Sequence, residues 1–438
     1  MGNTKVTAKG IPDRNHTGDF TSLPTDWPLT FVEQFHNARR AGPHTDYRIG
    51  TPGGMFSWAL PKGLPTAVGQ KHLAITQPMH AWSYNDFEGT IGKGYGTGTV
   101  KQVAKGEVVI LSRTPTSIKF TRADQRNAPI YNMLKTKGGN WITFIQRENA
   151  PPEIQLYSKE HFKSVPLEEV ANIMDKGALA TPKFDGAGAV ATIRPHGVDV
   201  YSLRRDKNGN LIRYTDHIGG LRNLKVPGDL VGRSFRGEVI ATKDNKVLPP
   251  QELGGLLNST LANVIRKRNI DNIKLQMKAL ALLTPKGEDY DPDKVQQLVS
   301  KLNVPIIQAP PVYRKSAEAL AAIAAMRKGT HPLTGEGLVL QAPGQRPIKA
   351  KLTEDADVVI ENVFPSTSAD PRAGGFEYSL PGQPGVKGRV GTGFTHSTLK
   401  DMLSNPEKYR GRVARIKAQG QFDSGAYRAP SFIALHEG

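Results

Sequence analysis

Two groups of side chains in this sequence have the types and spacing to act on phosphates. The first begins at Thr181-Pro-Lys183-Phe-Asp185-Gly186 and continues through Phe235-Arg-Gly237-Glu238, Gly335-Glu336-Gly and Ile348-Lys349-Ala-Lys351. Attack on the α-phosphate of a nucleotide needs a nucleophile, and an unprotonated lysine amine serves. Lys183 is the candidate, and its product would be a lysyl-nucleotide phosphoramidate. Glu238 and Glu336 each end or begin an apolar, strand-like run, where carboxylates are poorly tolerated unless they do something. Hard oxygen ligands of this kind suit Mg²⁺, which neutralises charge on phosphates. Lys349 and Lys351 alternate along a strand, so both face one way and can reach a single phosphoryl group.

The second group lies near the N-terminus. His36, His44, Asp46 and His80 are nitrogen and oxygen ligands compatible with Mn²⁺ or Zn²⁺. His44 and Asp46, two residues apart on a strand, point the same way, as a shared metal needs. Arg48 continues that face and can hold a phosphate, as can Tyr84.

Taken in order, and with Ser202-Leu-Arg204-Arg205 between them, the motifs of the first group resemble those of the ATP-dependent DNA ligases, from about Leu167 to the C-terminus. The resemblance implies an α/β nucleotidyltransferase (ATP-grasp-like) domain with ATP and Mg²⁺ as cofactors. It implies Lys183 as the adenylylated nucleophile and Asp185 near the reacting hydroxyl. Arg205 or Arg204 would bind ribose and the 5′-phosphate, Glu238 ribose or metal, Glu336 metal, and Lys349 with Lys351 the α-phosphate. NAD-dependent ligases share the Lys-x-Asp-Gly core but carry a Cys-based zinc module, and this chain has no Cys. Two departures stand out. The segment Lys278-Ala-Leu-Ala-Leu-Leu283 is aliphatic where the family has an aromatic residue stacked on adenine. The chain also stops at Leu435-His-Glu-Gly438, where the family's basic motif for orienting pyrophosphate would finish, leaving His436 in its place.

The second group, with Ser57-Trp-Ala-Leu-Pro-Lys-Gly63, His80-Ala-Trp-Ser-Tyr84 and Gly92-Lys-Gly-Tyr-Gly-Thr-Gly-Thr-Val100, resembles the 3′-phosphoesterase domain of bacterial ligase D over about residues 28 to 147. The interval from His36 to His44 is longer than the family pattern, so a metal cage requires an outward bulge near Gly42-Pro43. The main contribution expected of this domain is DNA binding, with 3′-end cleaning as an extra. Near the C-terminus, Gly388-Arg-Val-Gly-Thr-Gly-Phe394, Tyr409-Arg-Gly-Arg-Val413 and Tyr427-Arg-Ala-Pro-Ser-Phe432 resemble the ligase oligonucleotide-binding (OB) fold. There Arg410, Arg412, Arg415 and Lys417 form a basic run suited to a DNA backbone. An RNA ligase or capping-type nucleotidyltransferase shares the lysine chemistry, and a non-enzymatic DNA end-binding protein is the alternative from another class.

The elements that must position these groups follow from punctuation and period. The chain has 438 residues with 45 Gly and 32 Pro, which suits several small sheets. The expected class is multidomain α+β. It comprises an arm over 1–27, a β-barrel-like phosphoesterase-type domain over 28–150, a nucleotidyltransferase domain over 160–353 and an OB-fold over 354–438. The segment from about Gln146 to Val165, with Asn149-Ala-Pro-Pro-Glu153 inside it, reads as a linker, and helices are expected over 167–176, 253–264, 293–302 and 316–328, the last capped by Ser316 with Leu320, Ile323 and Ala324 on one face. Lys and Arg number 58 against 40 Asp and Glu, a net +18 that points to a polyanionic partner, here nicked duplex DNA. Without Cys there is no disulfide, Cys-based zinc finger or thiol nucleophile. Nothing resembles a signal peptide or membrane span, so a soluble, cytoplasmic protein is expected; it is also expected to be a monomer.

Overall fold

The structure, a computed structural model, describes residues 19–94, 96–148, 162–367, 371–422 and 424–436. Most of the expected arm, and residues 149–161 of the expected linker, lie outside the described residues; the linker's far end is tied down, since Val165 N donates to Lys349 O at 2.9 Å.

Nine strands make up the N-terminal sheet: β1 Leu29–Ala38, β2 Gly42–Thr51, β3 Gly54–Leu60, β4 His72–His80, β5 Gly89–Ile91, β6 Gly98–Thr114, β7 Ser117–Arg122, β8 Ile130–Lys135 and β9 Trp141–Ile145. Their order is β1-β2-β3-β4-β9-β8-β7-β6-β5, and β1 also pairs with β6. The sheet therefore closes on itself as a ring, which removes the unpaired edges of eight strands and leaves β5 attached outside. Period two sorts the side chains. Phe31, Tyr47, Ile49, Trp58, Ile110 and Phe120 fill the interior. The alternate residues of β1 and β2, among them Gln34, His36, Asp46 and Arg48, face outward yet are buried. The 3-10 helix Trp82–Asp86 and the residue after it lie against Gln34 and Arg48: Tyr84 O and Phe87 O accept from Gln34 Nε2 at 3.1 and 2.9 Å, and the Tyr84 ring meets the Arg48 guanidinium, while His36 Nε2 is 2.9 Å from Gly96 O.

The central region has two sheets. One is three-stranded, Leu179–Pro182, Gly337–Gln341 and Ile348–Lys351. The helices Glu169–Asp175 and Ser316–Arg327 pack on it through Val170, Ala319, Ile323 and Leu338. The other is eight-stranded and runs through Gly197–Arg205, Ala187–Arg194, Ser234–Lys243 and Ile273–Thr284. Apart from the pairing of Ile307–Gln308, this sheet is antiparallel, so the central region is α+β in construction rather than the expected α/β. The C-terminal sheet has the order Gln383–Val390, Ala373–Leu380, Glu354–Pro365, Val413–Ala418, Ser431–Leu435, with the helix His396–Ser404 packed on it. Among the described residues this is an open path with no closing pair.

Three local expectations need correction. The helix expected over 253–264 is two helices, Pro250–Leu257 and Leu261–Ile270, because Thr260 caps the second by accepting from Asn263 N. The helix at Ser316 is capped not by Ser316 but by Glu318 reaching back to the backbone N–H groups of Arg314 and Lys315 at 2.8 and 3.1 Å. Its buried face is Ala319, Ala322, Ile323 and Met326, while Leu320 is exposed.

The ring does not hang on a bare linker. Val109, Leu111, Ala123 and Ile130 of the ring form one apolar cluster with Leu261, Ala262 and Ile265 of the helix Leu261–Ile270. Ala262 N donates to Ala123 O at 2.9 Å, and Arg266 pairs with Glu107.

Candidate active site and metal cluster

Lys183 leaves the strand Leu179–Pro182 with its backbone fixed at both ends. Its N–H donates to Gly337 O at 2.9 Å, and its carbonyl accepts from Thr334 Oγ1 at 2.6 Å. Only glycine fits at 337: φ is +118°, and a Cβ there would lie 2.1 Å from Ala350 O. Gly186 likewise passes so close to Val239 O that a Cβ would sit 2.5 Å away, and its N–H donates to Glu238 Oε2 at 3.0 Å. Two short segments, each anchored by a glycine, thus bring Lys183, Asp185, Glu238 and Glu336 into one cleft between the central sheets.

That cleft encloses about 330 Å³ and is also lined by Arg236, Tyr290, Lys349, Lys351 and Lys417. Lys349 and Lys351 share a face because they pair opposite Val339 and Gly337 with the buried Ala350 between them. Glu336 Oε2 lies 3.6 Å from Lys183 Nζ, while Oε1 accepts from Lys417 Nζ at 2.8 Å. The same Lys417 ammonium donates to Asp185 Oδ2 at 2.7 Å. Burial opposes the charge on Lys417, but Glu336 and Asp185 outweigh it and raise its pKa.

Aromatic surface, absent from the segment ending at Leu283, comes from elsewhere. Phe162 and Tyr290 meet edge to face at 5.5 Å, and Lys349 Nζ lies 5.2 Å from the Phe162 ring centre. Burial pushes the Tyr290 hydroxyl far up, and Arg236 anchors it at 3.2 Å while pairing with Glu288 at 2.8 Å. Arg236 was missed in the sequence, although its place two residues before Glu238 on the same strand was a signal for it. Lys417 carried no such signal.

Several expected contacts lie elsewhere. Arg204 and Arg205 are exposed at the end of their strand and do not line the cleft; Arg205 donates to Gly209 O at 2.9 Å across the following turn. The C-terminal basic run is dispersed. Arg410 bonds Glu361 O at 2.9 Å, Arg412 bonds His436 O at 2.8 Å, Arg415 pairs with Asp357 at 3.1 Å, and Lys417 enters the cleft. His436 also pairs with Asp357, at 2.9 Å, outside the cleft lining.

On the outer face of the ring, His36 and His44 stand directly opposite each other in the β1–β2 pair, with ring centres 4.9 Å apart. The longer interval is absorbed by the turn Arg39-Arg40-Ala41 between the paired Ala38 and Gly42; Gly42, at φ +75°, and Pro43 already belong to β2. Asp46 lies 3.6 Å from His36 Nδ1 and 3.3 Å from His44 Nε2, and the ligand atoms of the three residues all fall within 4.8 Å of one another. Against the burial that opposes its charge, hydrogen bonds from both histidines and the Arg48 cation hold the Asp46 carboxyl far below the carboxylate range. The hydrogen bond to Asp46 raises the pKa of His44. His80 is not part of the group; its ring lies 5.1 Å from Tyr84, and burial pushes its pKa down to about 3. Arg48 is not a surface contact. It is fully buried, bonded to Asp46 at 3.2 Å and to Gln34, with its guanidinium 4.9 Å from the Tyr84 ring centre.

Residues 34–134 match the family described as the DNA ligase D 3′-phosphoesterase domain. The ring resembles that domain. The multifunctional non-homologous end joining DNA repair protein LigD of Mycobacterium tuberculosis is 45% identical over 84 residues, 18% of this chain and 11% of that protein. The LigD of Mycolicibacterium smegmatis is 30% identical over 167 residues, 34% of this chain and 21% of its own length. The matched stretch therefore spans about a tenth to a fifth of these relatives. Among solved structures, mycobacterial DNA ligase D complexed with ATP and MES matches at 19% identity over 64% of this chain and 96% of that one, with a TM-score of 0.37. Among the described residues, no helix is long and apolar enough to cross a membrane.

Proposed function

We propose that the chain is an ATP-dependent DNA ligase that seals 5′-phosphate/3′-hydroxyl nicks in duplex DNA. The observation that carries this reading is the placing of Lys183, with Asp185 and Glu336, in a cleft whose other walls carry Lys349, Lys351 and Arg236. In the first step the Lys183 amine forms a bond to the α-phosphorus of ATP and pyrophosphate leaves. The 5′-phosphate of the nick then displaces Lys183 and takes the AMP, and the 3′-hydroxyl attacks that phosphate, expelling AMP and forming the phosphodiester. Lys349 and Lys351 face the phosphates and offset the charge that develops on them. Phe162 and Tyr290 supply the aromatic surface for the base.

The donor set of Asp185, Glu238 and Glu336 is all oxygen, which fits Mg²⁺, and the convergence of Asp185 and Glu336 on a lysine ammonium marks a place where positive charge is wanted. Bound there, the ion would neutralise phosphate charge.

The His36–His44–Asp46 group favours a second activity in the ring, Mn²⁺- or Zn²⁺-dependent removal of 3′-terminal phosphate, beside its part in holding DNA. The working division is a processing ring over 28–150, a nucleotidyltransferase region over 160–353 and an OB-type region over 354–438, acting together as a monomer on nicked DNA.

The test is incubation with labelled ATP, GTP and NAD in separate reactions with Mg²⁺. Label retained on denatured protein from ATP alone, and lost in Lys183→Ala, supports the reading; label retained by Lys183→Ala refutes it.

A further inference from the structure

Lys417 belongs to the strand Val413–Ala418 of the C-terminal sheet, yet its ammonium bonds two carboxylates of the central region, Asp185 at 2.7 Å and Glu336 at 2.8 Å. These partners lie 232 and 81 residues away in sequence. The contact is therefore made by docking one sheet against another and not by any local turn. It has the form of an ion site already filled, with a single positive charge between oxygens that are hard ligands.

We infer that Lys417 is the resting counter-ion of the Asp185–Glu336 pair, and that a divalent cation binding these carboxylates displaces it and frees the C-terminal strand from the cleft. The inference rests on the reading of Asp185 and Glu336 as cation ligands in a nucleotide cleft. An ammonium and a metal ion cannot occupy the same oxygens at hydrogen-bonding and coordination distance. Whatever stabilises one therefore weakens the other by the same factor. Metal loading and release of the C-terminal sheet become one equilibrium, and Lys417 acts as a positioning residue through the two carboxylates rather than on the reacting atoms. Lys183, 3.6 Å from Glu336, stays on the same carboxylate in the docked state, so the nucleophile is held while the cleft is closed by Lys417.

The test uses the full chain without nucleotide and reads Mn²⁺ affinity by electron paramagnetic resonance. Because the sequence has no Cys, a Lys207→Cys, Val386→Cys pair on exposed positions can also carry spin labels to report the distance between the central and C-terminal sheets. In Lys417→Met one class of Mn²⁺ sites should bind about tenfold more tightly, as expected for a lost competitor, while the class abolished by His44→Ala stays unchanged. The label distance should lengthen on adding Mg²⁺ in the wild type and be long already in Lys417→Met, with Lys417→Arg, which keeps the charge, resembling the wild type in both. Circular dichroism and melting establish that each variant is folded. Mn²⁺ affinity in Lys417→Met within twofold of the wild type, or a label distance that ignores both Mg²⁺ and the substitution, overturns the inference. Failure of ATP to label Lys183 while these shifts occur would sink the ligase reading and leave the counter-ion standing.

Discussion

The two clusters of chemistry in this chain are built in opposite ways. His36, His44 and Asp46 come from one hairpin and are locked by ladder pairing, His36 and Asp46 buried and His44 partly so, with Arg48 beneath them as a fixed counter-charge. The cleft draws Lys183 and Glu336 from one sheet, Glu238 and Arg236 from a second and Lys417 from a third. A hairpin site is pre-formed whenever its two strands pair. A site assembled from three sheets forms only when they dock, and it can come apart without unfolding any of them. The first arrangement suits a rigid metal cage and the second a reaction in several steps.

This contrast can be broken by substitution. Asp46→Ala should have the largest effect on folding, because it leaves the Arg48 guanidinium buried without its carboxylate. Removing one member of a buried pair costs about 3–5 kcal/mol. Urea unfolding followed through the ring tryptophans Trp58 and Trp141 should report that loss; an unchanged midpoint would mean that the cage is not rigidly pre-formed. By contrast, Glu336→Ala should leave folding nearly intact and slow self-adenylylation about a hundredfold, roughly 2.7 kcal/mol of transition-state stabilisation. A variant that melts normally and reacts at the wild-type rate would remove Glu336 from the cleft chemistry.

Acidity sharpens the comparison inside the ring. The raised pKa of His44 means that its pairing with Asp46 contributes stability in full below its unfolded value, about 6.5, and loses it as pH climbs through the folded value. His80 works the other way. Held neutral with a pKa of about 3, it contributes stability above about 6.5 that is lost as pH falls toward 3. His44→Ala should therefore flatten the alkaline side of the metal-free stability profile and His80→Phe the acid side, as measured by denaturant unfolding across that range. Identical profiles for both variants would contradict the two environments.

The grouping of His36, His44 and Asp46 was legible because those residues are local, whereas His80, from another strand, was wrongly grouped with them. His44, Asp46 and Arg48 are two residues apart, and period two is enough to place them on one face. Burial was not legible, because the cover at Trp82–Asp86 arrives from another part of the chain; hence Arg48 reads as a DNA contact and proves to be a fully buried partner of Asp46. The same limit governs the cleft. Lys349 with Lys351, and Arg236 with Glu238, can be paired from spacing alone. The place of Lys417 depends on how two sheets dock, and a run of basic residues gives no sign that one of its members will leave the others. The break between Leu257 and Leu261 escaped for a smaller reason: Ser259-Thr260 offers a cap inside a run that is apolar at helical spacing on both sides.

The smallest effect is expected at Arg205, whose exposed side chain bonds only a nearby carbonyl among its described hydrogen bonds. Arg205→Ala should change stability by less than about 1 kcal/mol and leave self-adenylylation within about twofold of the wild type. A large loss would mean that the cleft extends further along its strand than its lining indicates.

The central claim is that the cleft forms a covalent nucleotide intermediate on one particular lysine. It is tested most directly by incubating the full chain with ATP and Mg²⁺, denaturing and digesting it, and mapping the AMP adduct by mass spectrometry. The account predicts the adduct on the peptide containing Lys183 and on no other; an adduct on a different lysine, or none, would contradict it.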